Sequence, residues 1–576
     1  MDSVLLMVAA FVGYLLFYRF YGRFIGQKIF NLSNENKTPA VEFEDGKDYV
    51  PTRKGIIFGH HFTSIAGAAP IVGPAIAVIW GWLPAIIWIF VGTVVMGAVH
   101  DFGALVLSLR NQGKSISEIT AKYVNPRTRT IFFLIVLLEL LIVITVFALV
   151  IGIIFTIFPQ SVLAVWLEIP IAMVLGYFIY KKGKNLNLLT VLAVILMYAT
   201  VVLGHFVPIN LGAVAGIPTT GVWVIILLVY AFIASTLPVT TLLQPRDYIN
   251  AWQLFVALVL LVVGVVAAGF SGKLDFVAPA VQLAPEGAPS LWPFLFITIA
   301  CGAISGFHSL VSSGTTSKQV AKEEDARMIG YGSMLMEGTL STLVIIAVAA
   351  GIGIAYTNAD GETLTGVAAW TTHYSSWAAA GGLGAKINAF VVGAANMIAV
   401  VGLPKEIVIV IMGVFVASFA GTTLDTATRI QRYVVQELSS DLKVKFFMNK
   451  YAATAFAIIT AGLLAFSTGA DGKGGLSLWP LFGATNQVLA GLALLTISVY
   501  LKKKGGVKYL ISLIPAAFMI VMTLWALVIN ERNYINGGNW LLVVLNSAIM
   551  LIAVWVVIEG AVAFLGSKPK AVAAEA

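Results

Sequence analysis

Apolar runs long enough to cross a hydrocarbon layer, about 20 residues for a helix, recur along almost the whole chain, and the polar stretches between them are short. The charge of those stretches orders the runs. Arg110, Lys114, Lys122, Arg127 and Arg129 stand against Glu118 alone. Lys181, Lys182 and Lys184, Arg429, Arg432, Lys443, Lys445 and Lys450, Lys502 to Lys504, and Lys568 with Lys570 form further basic groups, and the stretch 318–327 is short and charged with both signs. The stretch 208–221 has no charge, and 356–386 has little. Basic loops lie on the cytoplasmic side, so the alternation predicts an all-α polytopic membrane protein of about 15 transmembrane helices, with the N-terminus outside and the C-terminus cytoplasmic. The apolar chain between 387 and 420 is long enough for two spans, yet only one net crossing fits. One half is therefore expected to be re-entrant or interfacial. The first run, from Val4, has no basic residue ahead of it and is followed by Arg19 and Arg23, which reads as a retained span and not a cleaved leader.

Two of the runs are interrupted. In GHHFTSIAGAAPIVGP, from Gly59 to Pro74, Pro70 and Pro74 remove backbone donors and Gly67 and Gly73 loosen the same place. Broken helices at bilayer depth are tolerated where protein or a cavity satisfies the freed backbone, and many secondary transporters build their sites that way. A Pro-kinked helix packed on its neighbours is the alternative reading. The second interruption, STLPVTTLLQPRDY, carries Pro238 and Pro245. Breaks near 59–82 and 221–247 lie five crossings apart in opposite orientation, the pattern of a five-plus-five inverted repeat. The core is then expected over 56–422, with an extra helix in 1–25 and four additional helices in 450–566.

Composition narrows the function classes. With 59% hydrophobic and 11% charged residues the chain has no room for a soluble domain, and its net charge of +8 belongs to the basic loops rather than to a nucleic-acid surface. One cysteine, Cys301, excludes an intrachain disulfide and a cysteine-built zinc site, and no other metal constellation or cofactor signature stands out. No GxxxxGK[ST] loop is present, so transport energy must come from an ion gradient or a partner.

Ionisable and polar residues inside spans are the candidates for chemistry, since each is costly there unless paired, hydrated or functional. For substrate, the break offers Thr63, Ser64, Gly67 and Ala68, and a polar stripe at helical spacing offers Ser305, His308, Ser309 and Ser312. Arg246, beside Asp247, has the planar fork suited to a carboxylate. For the coupling ion, taken as H+, the candidates are His60, His61, His100 with Asp101, His308, Glu139 and Glu337. Each has a bland counterpart: interfacial histidines, a neutralised structural pair, or hydroxyls that glue helices together. Asp425 and Arg429 read as a helix-surface pair at i and i+4, and Asn486 and Gln487 as amides equally suited to a neighbouring helix.

Taken together, GHHFTSIAGAAPIVGPAIA, HDFGAL at His100, LLQPRDYIN at Leu242, CGAISGFHSLVSSGTTSKQ and PLFGATNQ resemble the carbon starvation protein A family over nearly the whole chain. The resemblance implies a carrier of the amino acid-polyamine-organocation superfamily in the bacterial inner membrane, with a leucine-transporter type of inverted repeat. It implies a small-molecule substrate, either peptides during carbon starvation or pyruvate taken up with protons, and leaves both open. An ion-coupled amino-acid carrier, a channel and a membrane nutrient sensor are the alternatives; no short repeated pore loop or soluble output domain speaks for the last two.

Overall fold

The computed structural model describes residues 1–182, 185–358 and 360–567. Lys184, Lys568 and Lys570, counted above among the basic groups, lie outside the described residues. Among the described residues, twelve helices are long and apolar enough to cross a membrane. The bent pair Lys54–Ala66 and Ala69–Ala77 makes a thirteenth, and the interrupted pair Leu291–Thr298 and Gly306–Gly314 and the shorter apolar Lys450–Ala465 are further candidates among the described residues. The contacts at the two ends differ in charge. One end gathers basic groups: Arg110 pairs with Glu323 at 2.6 Å, Arg129 with Asp441 at 2.9 Å, and Lys450 donates to the Thr236 carbonyl. The other end is tied by neutral backbone contacts, such as Trp82 N–H to the Pro279 carbonyl and Trp377 N–H to that of Glu286.

Burial separates core from rim. Trp479–Lys503, expected among the C-terminal additions, is buried along its whole apolar window, whereas Leu186–Phe206 is 22% buried and turns Leu188, Val191 and Ile195 outward, as a lipid-facing helix should. The late helix therefore belongs to the core. Leu383–Ala399 resolves the ambiguous apolar stretch. Gly384 sits by Ile153 and Ile157, Gly393 by Ala347, and Ile398 by Gly264, all at the less charged end, so this helix stays on that side while Lys405–Asp441 makes the crossing.

The second interruption is not where the prolines put it. Thr219–Thr236 and Leu243–Phe270 are each complete spans, and 237–242 is a turn at the basic end, where the Val239 amide meets the Lys47 carbonyl. Pro245 is the third residue of its helix, where its missing amide would have had no partner in any case. The break lies at 299–305 instead, with Gly302 at φ +91°. No proline marks it. Ser305 consequently precedes the resumed helix in extended conformation and does not continue a helical stripe with His308, Ser309 and Ser312.

Candidate functional site

The two broken spans lie against each other and run antiparallel. His61 Nδ1 is 2.8 Å from Thr316 and His60 Nε2 is 3.4 Å from Gln319, while further along Pro70 faces Gly302 and Gly73 faces the Thr298 carbonyl. Gly67, at φ +49° and ψ −152°, turns the first chain; a Cβ there would stand 2.5 Å from Thr423 Oγ1. Only glycine enters that conformation without strain.

Neighbouring side chains satisfy the freed backbone. The Ser341 hydroxyl donates to Pro70 O and Thr423 to Ser64 O; Thr93 donates to Gly302 O, and Glu337 accepts from Gly302 N at 3.0 Å. Asn486 accepts from Phe307 N at 2.8 Å and Gln487 donates to Phe296 O, so one pair of amides holds both sides of the second break. Close approach makes this possible: a Cβ on Gly97 would stand 2.3 Å from the Ala303 carbonyl, and one on Gly330 would stand 2.8 Å from Phe102 Cα. Gly97 and Gly330 both lie in π-helical turns, a deformation frequent at functional sites.

Most of the ionisable candidates gather in two buried clusters. In the first, His308 Nδ1 is 2.9 Å from Asp101 Oδ2, His100 Nδ1 is 2.7 Å from Asp101 Oδ1, and His308 Nε2 is 3.4 Å from Glu337 Oε2. Neither atom of that last contact has a hydrogen-bond partner. In the second, Arg246 meets Asp425, Tyr230 and Thr422, with Glu168 at 3.7 Å and Asp247 at 3.5 Å. His60 Nδ1 is 2.6 Å from Asp247 and Ser418 donates to Glu168. His60 and His61 are adjacent in sequence, and one turns to each side: His60 toward the Arg246 cluster, His61 toward the second break.

The remaining candidates are scattered. Thr63 returns its hydroxyl to Gly59 O, Ser64 meets Thr426, and Ser309 bonds Gly306 O. Ser312 Oγ and both Glu139 oxygens are buried without a partner, and Glu139 joins neither cluster. Asp425 and Arg429, expected to pair, do not: Asp425 goes to Arg246, while Arg429 takes Asp48 and the carbonyls of Ala234 and Leu237. The fourfold spacing that brings side chains together on a free helix surface loses here to stronger partners on adjoining elements. Cys301, His308 and Glu337 bring ligand atoms within 4.8 Å of one another, a donor set that could hold a thiophilic divalent cation.

Above the breaks is a cavity of about 390 Å³. Ala68, Ala300 and Cys301 line it at the break, Trp377, Lys386 and Tyr534 toward the less charged end. Arg246 is not in its lining, and Lys386, which no sequence pattern singled out, is.

The basic end is crossed by ion pairs, beside a second cavity of about 640 Å³ lined by Arg110, Glu323, Tyr500 and Lys504. Glu323 binds Arg110 and also accepts from Ser33 N and Asn36. Asp48 lies 3.2 Å from Arg429 and 3.4 Å from Arg432 and accepts from Tyr433. Burial would raise the Asp48 pKa, but Arg432 and Arg429, with help from Tyr433 and Lys318, hold it below the ordinary carboxylate value. A depressed folded pKa means that the latch contributes stability above the unfolded value and loses it only as pH falls through the lower folded one. The loop 43–53 should thus keep the same amide protection factor, the rate taken relative to free exchange at each pH, from about pH 5 to 8, well above the carboxylate reference. Asp48→Asn should speed exchange throughout that range; equal protection in the variant would show that the ion pairs do not hold the loop.

The family model and the curated relatives agree on one family. The model described as "Carbon starvation protein CstA" matches residues 2–526. The chain is 34% identical to the "Peptide transporter CstA" of Bacillus subtilis over 98% of its length and 97% of the relative. It is 34% identical to the "Pyruvate/proton symporter BtsT" of Escherichia coli over 91% of its length and 81% of the relative. Among solved structures, a manganese transporter mutant from Eremococcus coleocola is similar at 12% identity with a TM-score of 0.49, covering 91% of this chain and 99% of that one. With the match extending through both broken spans and the two ionisable clusters, this chain belongs to the carbon starvation protein CstA family.

Proposed function

We propose that this protein is a secondary carrier of the bacterial inner membrane that imports a small carboxylate or peptide together with protons, with its N-terminus outside and its C-terminus in the cytoplasm. The observation that carries the reading is the placement of His308 between two buried carboxylates, Asp101 and Glu337, directly beside the break that floors the cavity. An imidazole between two carboxylates can hold and release a proton, and the backbone that the substrate would touch is bonded to the same Glu337 through Gly302 N. The names of the relatives, a peptide transporter and a pyruvate/proton symporter, support the substrate class and the ion. The antiparallel broken spans would be the moving pair of the transport core; with the second break at 299–305 the two lie seven crossings apart and not five, so the expected core bounds of 56–422 lose their basis, and the buried Trp479–Lys503 joins the core.

Counterflow in proteoliposomes tests the carrier. Labelled pyruvate or alanyl-alanine should exchange faster against internal substrate, and an inward proton gradient should drive net accumulation. Flux that internal substrate does not accelerate would make the protein a channel. A C-terminal reporter active only in the periplasm would reverse the orientation. Gly67→Leu should abolish counterflow, because its side chain collides with Thr423 and Phe147 at the turn; full exchange by a correctly inserted Gly67→Leu protein would remove the break from the mechanism.

A further inference from the structure

Lys386 lines the 390 Å³ cavity at 7% exposure, and among the described residues it has no ion pair, no side-chain hydrogen bond and no aromatic ring beneath its ammonium. It differs in this from the other buried cations. Arg246 has Asp425, Arg429 and Arg432 have Asp48, and Lys318 stands 4.0 Å over the Tyr433 ring. A cation taken from water without a counter-charge is costly to the fold and is retained where a ligand supplies the missing anion. The remainder of the lining has no aspartate or glutamate; its polar groups are neutral, among them Thr298, Asn530, Asn533 and Tyr534. The single charge of the wall is therefore positive.

We infer that Lys386 is the entry anchor for the substrate's carboxylate, and that the wall, offering no anion to an ammonium group, favours a monoanionic acid over a zwitterion at this stage. The inference rests on the carrier reading for its direction of use and goes beyond it in assigning the residue and the charge class. A carboxylate within reach of Lys386 would gain a charge-assisted hydrogen bond in a wall of low polarity, while the neighbouring amides and the Tyr534 hydroxyl serve its remaining acceptors. A free α-ammonium group would enter the same space beside a like charge. Lys386 lies on Leu383–Ala399, outside the two broken spans, so it acts on capture and not on the proton cluster.

Binding to the purified full-length protein, without a gradient, tests this separately from transport. The probes are pyruvate, its neutral amide pyruvamide, alanine and N-acetylalanine. The wild type should bind pyruvate more tightly than pyruvamide, and N-acetylalanine more tightly than alanine. Lys386→Met, which keeps the length and apolar stem, should weaken pyruvate by about tenfold to a hundredfold, the range expected for losing one charge-assisted hydrogen bond, and leave pyruvamide unchanged. Lys386→Arg should recover part of the loss. In proteoliposomes the half-saturation concentration for exchange should rise while the maximal rate is kept. Unchanged pyruvate affinity in a Lys386→Met protein with wild-type thermal stability, tighter binding of alanine than of N-acetylalanine, or no pyruvate binding by the wild type would each overturn the inference. Lys386-dependent binding with no proton-driven accumulation would leave the anchor standing and bring down the carrier reading instead.

Discussion

His308→Gln should abolish accumulation driven by a pH gradient while leaving counterflow exchange measurable. Glutamine can still donate to Asp101, so the packing beside the second break survives, but it has no basic nitrogen with which to carry the coupled proton. The 3.4 Å contact between His308 Nε2 and Glu337 Oε2 is the part that changes most, because neither atom has another partner. Glu337 also receives Gly302 N, so the protonation state of this pair is mechanically joined to the backbone of the break. Glu337→Gln should show the same separation of coupling from exchange. Exchange and accumulation falling together in step with expression would mean that the pair only packs the helix. Accumulation unchanged in His308→Gln would move the proton to Glu139 or to the Arg246 cluster.

The second large effect is on assembly. Arg246→Leu leaves Asp425, Asp247 and Glu168 facing one another at 4% exposure or less, and removing one partner from a buried ion pair costs about 3–5 kcal/mol. That is a large share of the roughly 5–15 kcal/mol that holds a folded domain together. The variant should give little monodisperse protein on size exclusion and melt many degrees lower. Arg246→Leu combined with Asp425→Asn should recover part of both, since the closest carboxylate is then neutral. Yield and melting temperature equal to wild type in the single variant would mean that the cluster is hydrated and the arginine is dispensable to the fold.

The positions of the spans were legible because loop charge and apolar length are local properties. The first break was legible for the same reason, with Pro70, Pro74, Gly67 and Gly73 in one short run. The second was not. Its unwound segment is kept open by partners from three other spans, Thr93, Glu337 and Asn486, and glycine without proline leaves only a weak local signal. Pro245 misled because a proline serves equally to start a helix and to interrupt one. The same limit applies to charge. Asp425 and Arg429 have ideal spacing and different partners, while Lys386 looked like an ordinary loop lysine because nothing along the chain records that its surroundings lack a carboxylate. His308 and Asp101 were each suspicious on their own, but their meeting depends on the antiparallel packing of elements 207 residues apart.

Cys301 is the only thiol in the chain, and it lies in the unwound segment of the second break, in the cavity lining and 3.3 Å from Ser305. For chemical labelling this is an unusually clean background. A small membrane-impermeant alkylating reagent reaches that sulfur only by way of the cavity, so the modification rate of the otherwise unaltered protein reports how often the route stands open. Protection by substrate would map occupancy at the same atom, and reactive positions introduced elsewhere would need only this one cysteine removed beforehand.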